Sequence, residues 1–321
     1  MDILRFRPLL KHTIWGGERI ARLKRLDSAA DDIGESWEVS ALPGEESIVD
    51  GGPYDGKTIS YVIRRERERL LGRDNYRRFA GEFPLLAKFI DAKDDLSIQV
   101  HPDDATARRH GERRGKTEMW YVMPSAPGAQ LYSGLRQWIT PRQYENMVAA
   151  RTITDAIALH DVSEGDVFYI PAGRIHSIRR GCLIAEIQQT CDLTYRIYDY
   201  NRRDKNGNLR ELHTKKAAES IDYTVQRDYR THYVRQPNRA VRLVTSPYFV
   251  TSLYDLDRPK TIDYSWLDSF VILMCVGGEG LLSLPTAAGP QPFRAGDTVV
   301  LPATTRRIDV TGKIKFLEAY V

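Results

Sequence analysis

Cysteine is scarce in this sequence and shows no pairing pattern. Only Cys182, Cys191 and Cys275 occur, an odd number without a CxxC pair, which argues against a disulfide framework and against a thiolate zinc knot. Their apolar surroundings suit buried free thiols in a reducing compartment. Long apolar runs are also missing. The opening MDILRFRPLLKHTIWGG lacks the uninterrupted core of a signal peptide, and no later stretch approaches the ~20 apolar residues of a membrane span. Nor is there a surplus of one charge. Lys and Arg number 47 against 43 Asp and Glu, a formal net charge of +4, too small and too dispersed to imply a nucleic-acid partner. The run Arg64-Arg65-Glu66-Arg67-Glu68-Arg69 alternates in sign, as a solvated helix face does. The expectation is a cytoplasmic globular protein with neither nucleic acid nor membrane as partner, its oligomeric state unspecified by sequence.

With 321 residues, 42% of them hydrophobic, the chain is long enough for a large core and two domains. Short β-rich segments punctuated by Gly, Pro and Asp favour a mainly β architecture over βαβ units. Strands are expected at Phe83–Ile90, Leu96–Val100, Met119–Val122, Asp166–Ile170, Leu183–Gln188, Phe249–Tyr254, Phe270–Val276 and Asp297–Leu301. Helical insertions are expected at Tyr61–Leu71, after Thr140 with Pro141 in the first turn, and at Thr214–Ile221.

One internal repeat organises the rest. Gly165-Asp166-Val167-Phe168-Tyr169-Ile170-Pro171-Ala172 returns as Gly296-Asp297-Thr298-Val299-Val300-Leu301-Pro302-Ala303, which implies two related β-domains. The motif resembles the second conserved motif of cupins, in which a Gly-Asp turn and a strand deliver a final histidine into a jelly-roll barrel. That histidine is His176 in the first copy. In the second copy its place falls on Arg307, which stays protonated and cannot ligate a metal. The expected division is a metal-binding catalytic cupin domain over 1–235, carrying the helical insertions, and a cupin-like domain over 236–321 without the metal histidine.

Gln99 and His101 lie two apart in Leu96-Ser97-Ile98-Gln99-Val100-His101, so strand periodicity sends both to one face. Glu118 opens the otherwise apolar strand Met119–Val122, and His176 closes the repeated motif. Two imidazoles, one carboxylate and one amide oxygen form a borderline-hard donor set suited to one Zn²⁺, with Mn²⁺, Co²⁺ or Fe²⁺ as other candidates. His12, His110, His160, His213 and His232 have no partner at ligand spacing.

Several further stretches carry a family resemblance: Trp15-Gly16-Gly17, Gly34-Glu35-Ser36-Trp37-Glu38-Val39-Ser40, Phe83-Pro84-Leu85-Leu86-Ala87-Lys88, the Gln99 strand through Pro102, Gly115-Lys116-Thr117-Glu118 and Thr194-Tyr195-Arg196-Ile197-Tyr198-Asp199-Tyr200. In this order they resemble the type I mannose-6-phosphate isomerases, in their short bacterial form. The resemblance implies a zinc on Gln99, His101, Glu118 and His176, a catalytic arginine at Arg196, an acid at Glu186, and polar residues of a sugar-phosphate pocket at Lys88, Ser97 and Lys116.

The implied reaction, aldose–ketose isomerisation of mannose 6-phosphate and fructose 6-phosphate, moves a proton between adjacent carbons through an enediol(ate) and needs polarised oxygens and a base. Arg196 offers a planar fork to developing charge. Lys88 and Lys116 are compact charges for the phosphate, and Ser97 shares the inward parity of Gln99. Glu186 fits either the base or a partner of Arg196, and a zinc-bound water or Lys116 also fits the base. Two rivals belong to other classes: a non-catalytic sugar-sensing cupin, disfavoured by Arg196, Glu186 and Lys116, and an Fe²⁺ oxygenase, disfavoured by Gln99.

Overall fold

Along Glu118–Val122 every residue is buried, yet the strand has two different faces. Met119 and Tyr121 belong to one apolar cluster and Trp120 and Val122 to another, with Glu118 on the second side by the two-residue alternation of a strand. Leu183–Gln189 repeats the arrangement, with Leu183, Ala185 and Ile187 on one face and Ile184, Glu186 and Gln188 on the other. These strands thus separate a hydrophobic core from an interior that accepts polar groups.

The computed structural model describes residues 1–27, 30–203, 207–285 and 289–321. The two strands sit in a six-stranded sheet ordered Val167–Ile170, Glu118–Val122, Leu183–Gln189, Leu85–Asp91, Ile33–Val39 and Leu9–Gly17. A five-stranded sheet packs on its polar face, ordered Ile157–Asp161, Gln130–Leu135, His176–Ile178, Ile98–Val100 and Tyr195–Tyr198. The other face shares a core with a nine-stranded sheet built mostly from residues after 240. Phe83 and Phe270 meet there with ring centroids 4.4 Å apart, a contact worth ~1 kcal/mol beyond the area it buries. The first strand, Leu4–Arg7, pairs with Thr298–Leu301 in the nine-stranded sheet, so the N-terminus crosses into the C-terminal half.

The two repeat copies fold alike. Gly165 and Gly296 take φ of 92° and 89°, a region open to glycine at little cost. Asp166 accepts from Ser163 N–H at 3.0 Å and Asp297 from Arg294 N–H at 2.8 Å. Each proline carbonyl then accepts from the N–H three residues on, Pro171 from Arg174 and Pro302 from Thr305. His176 and Arg307 each open the following strand. His176 is fully buried, whereas the Arg307 side chain is 55% exposed and paired with Asp309.

Two expected elements differ in extent. The helix expected over Tyr61–Leu71 begins earlier, at Ile59 behind a Thr58 cap, and is split into Ile59–Glu66 and Glu68–Leu71 by Arg67 at φ 49°. The break turns the Arg69 and Leu70 carbonyls onto the N–H groups of Thr304 and Ala303, tying this insertion to the second repeat. The strand at Gln99 is only Ile98–Val100, which leaves Ser97 and His101 just beyond its ends. The capped helix Pro141–Ala150 carries a full Thr140–Gln143 capping box. Among the described residues no helix is long and apolar enough to cross a membrane.

Candidate metal centre

His101, Glu118 and His176 converge between the five- and six-stranded sheets, their ligand atoms all within 4.8 Å of one another and all three side chains buried. They form the only such His/Cys/Asp/Glu group among the described residues that is compact enough for a metal. Each imidazole is oriented from behind. His101 Nδ1 lies 2.8 Å from the Leu193 carbonyl and His176 Nδ1 lies 2.8 Å from the Arg174 carbonyl. A carbonyl only accepts, so each Nδ1 carries the hydrogen and each Nε2 presents a lone pair.

Those two Nε2 atoms face each other at 3.1 Å. Glu118 Oε2 is 3.5 Å from His101 Nε2 and Glu118 Oε1 is 3.4 Å from His176 Nε2. Both carboxylate oxygens are buried without a hydrogen-bond partner. Lone pairs on two nitrogens and two oxygens thus crowd one small volume with, among the described residues, only the Lys116 ammonium, 3.1 Å from Glu118 Oε2, to oppose them, which is costly for a protein alone and is what a cation relieves. Burial pushes the His176 imidazole down to about 3 and the His101 imidazole well below its ordinary value, so protonation does not supply the missing charge. The residues fit a divalent metal. Gln99 pairs directly with His176 in the adjacent strand and lines the cavity that opens beside the group.

That cavity is about 270 Å³ and polar. Ser97, Gln99, Lys88, Lys116, Glu186 and Arg196 all line it, together with Glu35, Asp192, Thr194, Arg210, Trp15 and Trp120. Strand register explains the company. Glu186 pairs with Lys88 on one side and Trp120 on the other, and Arg196 pairs with Gln99, giving the row His176, Gln99, Arg196 across three strands. The Gly115-Lys116-Thr117-Glu118 motif is shaped by contact: a Cβ at Gly115 would lie 2.5 Å from the Pro102 carbonyl oxygen, and Thr117 N–H donates to Gln189 at 2.8 Å. Lys116 Nζ is consequently held 3.1 Å from Glu118 Oε2.

Lys88 is 3% exposed and sits between Glu186 Oε1 at 3.3 Å and Glu35 Oε2 at 3.4 Å. These two carboxylates hold it charged against the burial that opposes its ammonium. Glu186 and Glu35 then part company. Burial, reinforced by Glu118, raises Glu186. Glu35 is lowered: Lys88 together with the Trp37 indole N–H outweighs its burial. Trp120 Nε1 donates to Glu186 Oε2 at 2.9 Å, while Glu186 Oε1 is buried with no hydrogen bond.

Glu186 is therefore the partner of Lys88 and not of Arg196, which corrects one of the two roles expected for it. Arg196 donates to the Glu211 carbonyl at 3.0 Å, and among the described residues Asp199 is the carboxylate that most favours its charge against burial. Sequence reasoning did not single out Glu35, Trp120 or Arg210 as site residues. For Trp120 the signal was present, since it shares the parity of Glu118. The other histidines are engaged elsewhere: His12 with Asp32, His110 with Tyr195 and Glu219, His160 with the Ser133 carbonyl, His213 with Arg196 N–H and His232 with Asp228.

Comparison with known proteins bears directly on this site. Residues 3–122 match the phosphomannose isomerase type I catalytic domain, and residues 240–321 match the mannose-6-phosphate isomerase cupin domain. The chain is 30% identical over 308 residues to the mannose-6-phosphate isomerase of Streptococcus mutans, covering 96% of this chain and 94% of that one. It is 33% identical over 301 residues to ManA, a mannose-6-phosphate isomerase of Bacillus subtilis, covering 92% of each. The crystal structure of the mannose 6-phosphate isomerase from Bacillus subtilis superposes with a TM-score of 0.89 over 100% of both chains at 29% identity.

Proposed function

This chain belongs to the type I mannose-6-phosphate isomerase family, and we propose that its cavity interconverts mannose 6-phosphate and fructose 6-phosphate with one zinc held by Gln99, His101, Glu118 and His176. The observation that carries this reading is the buried His101–Glu118–His176 group, whose ligand atoms converge with both Glu118 oxygens lacking a hydrogen bond, beside a cavity lined with acids and bases. When bound there, a divalent zinc supplies a Lewis acid beside the substrate's adjacent oxygens.

Proton transfer belongs to the side chains. Glu186 is fixed through one oxygen by Trp120, and its other oxygen, without a hydrogen bond, faces the Lys88 ammonium at 3.3 Å. Its raised affinity for protons suits a carboxylate that takes the proton from one carbon and returns it to the neighbour through an enediol(ate). Lys88 stays ammonium between Glu35 and Glu186 and keeps Glu186 in place. Lys116, also held charged by Glu118 against its burial, donates to substrate oxygens as the double bond moves. The Arg196 fork, in line with Gln99, faces the charge that develops on those oxygens.

A coupled assay with mannose 6-phosphate under anaerobic conditions, with and without a chelator, tests the reading. Absence of turnover by the metal-loaded protein sinks the isomerase assignment. Undiminished turnover after complete metal removal sinks the role of His101, Glu118 and His176 as metal ligands.

A further inference from the structure

The charges of the cavity are unevenly distributed. Lys88 is matched by Glu35 and Glu186, and Lys116 by Glu118. Neither lysine has charge left over for a phosphate dianion. Elsewhere around it, and among the described residues, Arg196, Arg202 and Arg210 have one buried carboxylate in common, Asp199.

The three guanidiniums are not equally committed. Arg202 donates to Asp199 Oδ1 and to the Asp95 carbonyl, and it does not line the cavity. Arg210 does line it. Its Nη2 lies 3.4 Å from Ser97 Oγ, and its Nε lies 3.1 Å from Asp199 Oδ2 but out of hydrogen-bonding alignment. That Nε is buried and unpartnered, as is Nε of Arg196. The Arg210 side chain is only 22% exposed. Arg210 thus presents a guanidinium with an open donor beside the Ser97 hydroxyl and shares its one neighbouring carboxylate with other arginines, an arrangement suited to an anion. Position agrees with this. Ser97 lies two residues from Gln99 along an extended segment, roughly 7 Å from it, so an anion held there stands apart from the expected metal ligands.

We propose that Arg210, with Ser97, anchors the phosphate group of the substrate. This assignment rests on the isomerase reading and adds the residue that selects a phosphorylated hexose over a free one. Among the described residues the polar partners of Arg210 are Ser97 and Asp199, not an expected metal ligand or Glu186, so its contribution is to binding and not to proton transfer.

Arg210→Ala separates the possibilities. A lost charge-assisted contact is commonly worth roughly 10- to 100-fold in affinity. The expected result is a rise of that size in KM for mannose 6-phosphate with kcat within about threefold, and an equal weakening of competitive inhibition by inorganic phosphate. Metal content should stay that of the parent. Arg210→Lys should recover part of the loss, since it keeps the charge and gives up the fork. An unchanged KM overturns the proposal, as does a fall in kcat at constant KM. Inhibition by inorganic phosphate that is insensitive to Arg210 overturns it too, because the anion is then bound at the metal. If Arg210→Ala does not fold, Ser97→Ala decides: KM should rise by about fivefold, and no rise defeats the assignment. Failure of the isomerase reading looks different, as a parent protein without turnover. Calorimetric binding of inorganic phosphate to parent and Arg210→Lys then still tests the anion site.

Discussion

Metal binding at a histidine site ordinarily releases protons, and here it should release almost none from the imidazoles. A solvent-like histidine with a pKa near 6.5 holds about 0.9 proton at pH 5.5, so two ordinary ligands would give up about 1.8 protons per metal bound. His101 and His176 cannot behave so. Their Nδ1 hydrogens are already committed to the Leu193 and Arg174 carbonyls, and both rings are fully buried, which opposes the charge of an imidazolium. Burial pushes His176 down to about 3 and His101 well below its usual value. One other group can answer the metal: Glu186, raised by burial and by Glu118, surrenders its proton when positive charge arrives. Titrating zinc into chelator-treated protein at pH 5.5, in two buffers of different ionisation enthalpy, counts the protons. About one proton or fewer is expected for the parent, and close to zero for Glu186→Gln. A count near 1.8 in Glu186→Gln refutes the argument, since the imidazoles would then be solvent-like. The same shifts set the pH dependence of the metal-free fold. A histidine whose folded pKa is depressed binds its proton better when unfolded, so stability climbs as pH rises from near 3 to about 6.5 and is flat above. The slope is about 1.4 kcal/mol per pH unit for each histidine, or about 4 °C per unit for both in a chain of this length.

Elemental analysis should give one metal equivalent per chain, because Arg307 replaces the histidine of the second repeat; two equivalents would contradict this. His101→Ala should lose metal and turnover together while its far-ultraviolet circular dichroism stays that of the parent, and retained activity without metal would remove His101 from the site. Arg196→Ala should keep its metal and lose about 10²- to 10³-fold in kcat, as for deletion of one donor to a developing oxyanion; near-normal turnover returns Arg196 to a merely structural contact with the Glu211 carbonyl. Fructose 6-phosphate turned over in deuterated water should yield mannose 6-phosphate carrying deuterium at C2, and a product free of deuterium after many turnovers refutes proton transfer through Glu186.

What the sequence made legible is what depends on local periodicity. Gln99 and His101 fall on one face because strand side chains alternate, and the same rule sorts Glu118 and Trp120 from Met119 and Tyr121. The repeated Gly-Asp turn was readable because a positive φ followed by an Asp-capped loop needs those residue types at those places, and both copies use them identically. The Thr140 capping box is local in the same sense. The break at Arg67 was not readable, because the hydrogen bonds that follow it run from Leu70 and Arg69 to Ala303 and Thr304, more than two hundred residues away.

The charge assignments inside the cavity show where such reading stops. From sequence, Lys88 and Lys116 are candidates for the phosphate as compact charges, because a match to a sugar-phosphate pocket does not reveal which carboxylates face them in the fold. In the fold, the register of Leu85–Asp91 against Leu183–Gln189 sets Glu186 beside Lys88, and the adjoining strand brings Glu35 to its other side. Both lysines are thereby turned into fixed members of a balanced network, and the unbalanced positive charge moves to Arg196 and Arg210. Arg210 comes from a segment that carries no motif; only its contact with Ser97 in the cavity gives it a role. Residue types and spacing thus identify which chemistry a chain carries, but net charge at a point in a cavity is a sum over strands. It becomes available only once their register is known.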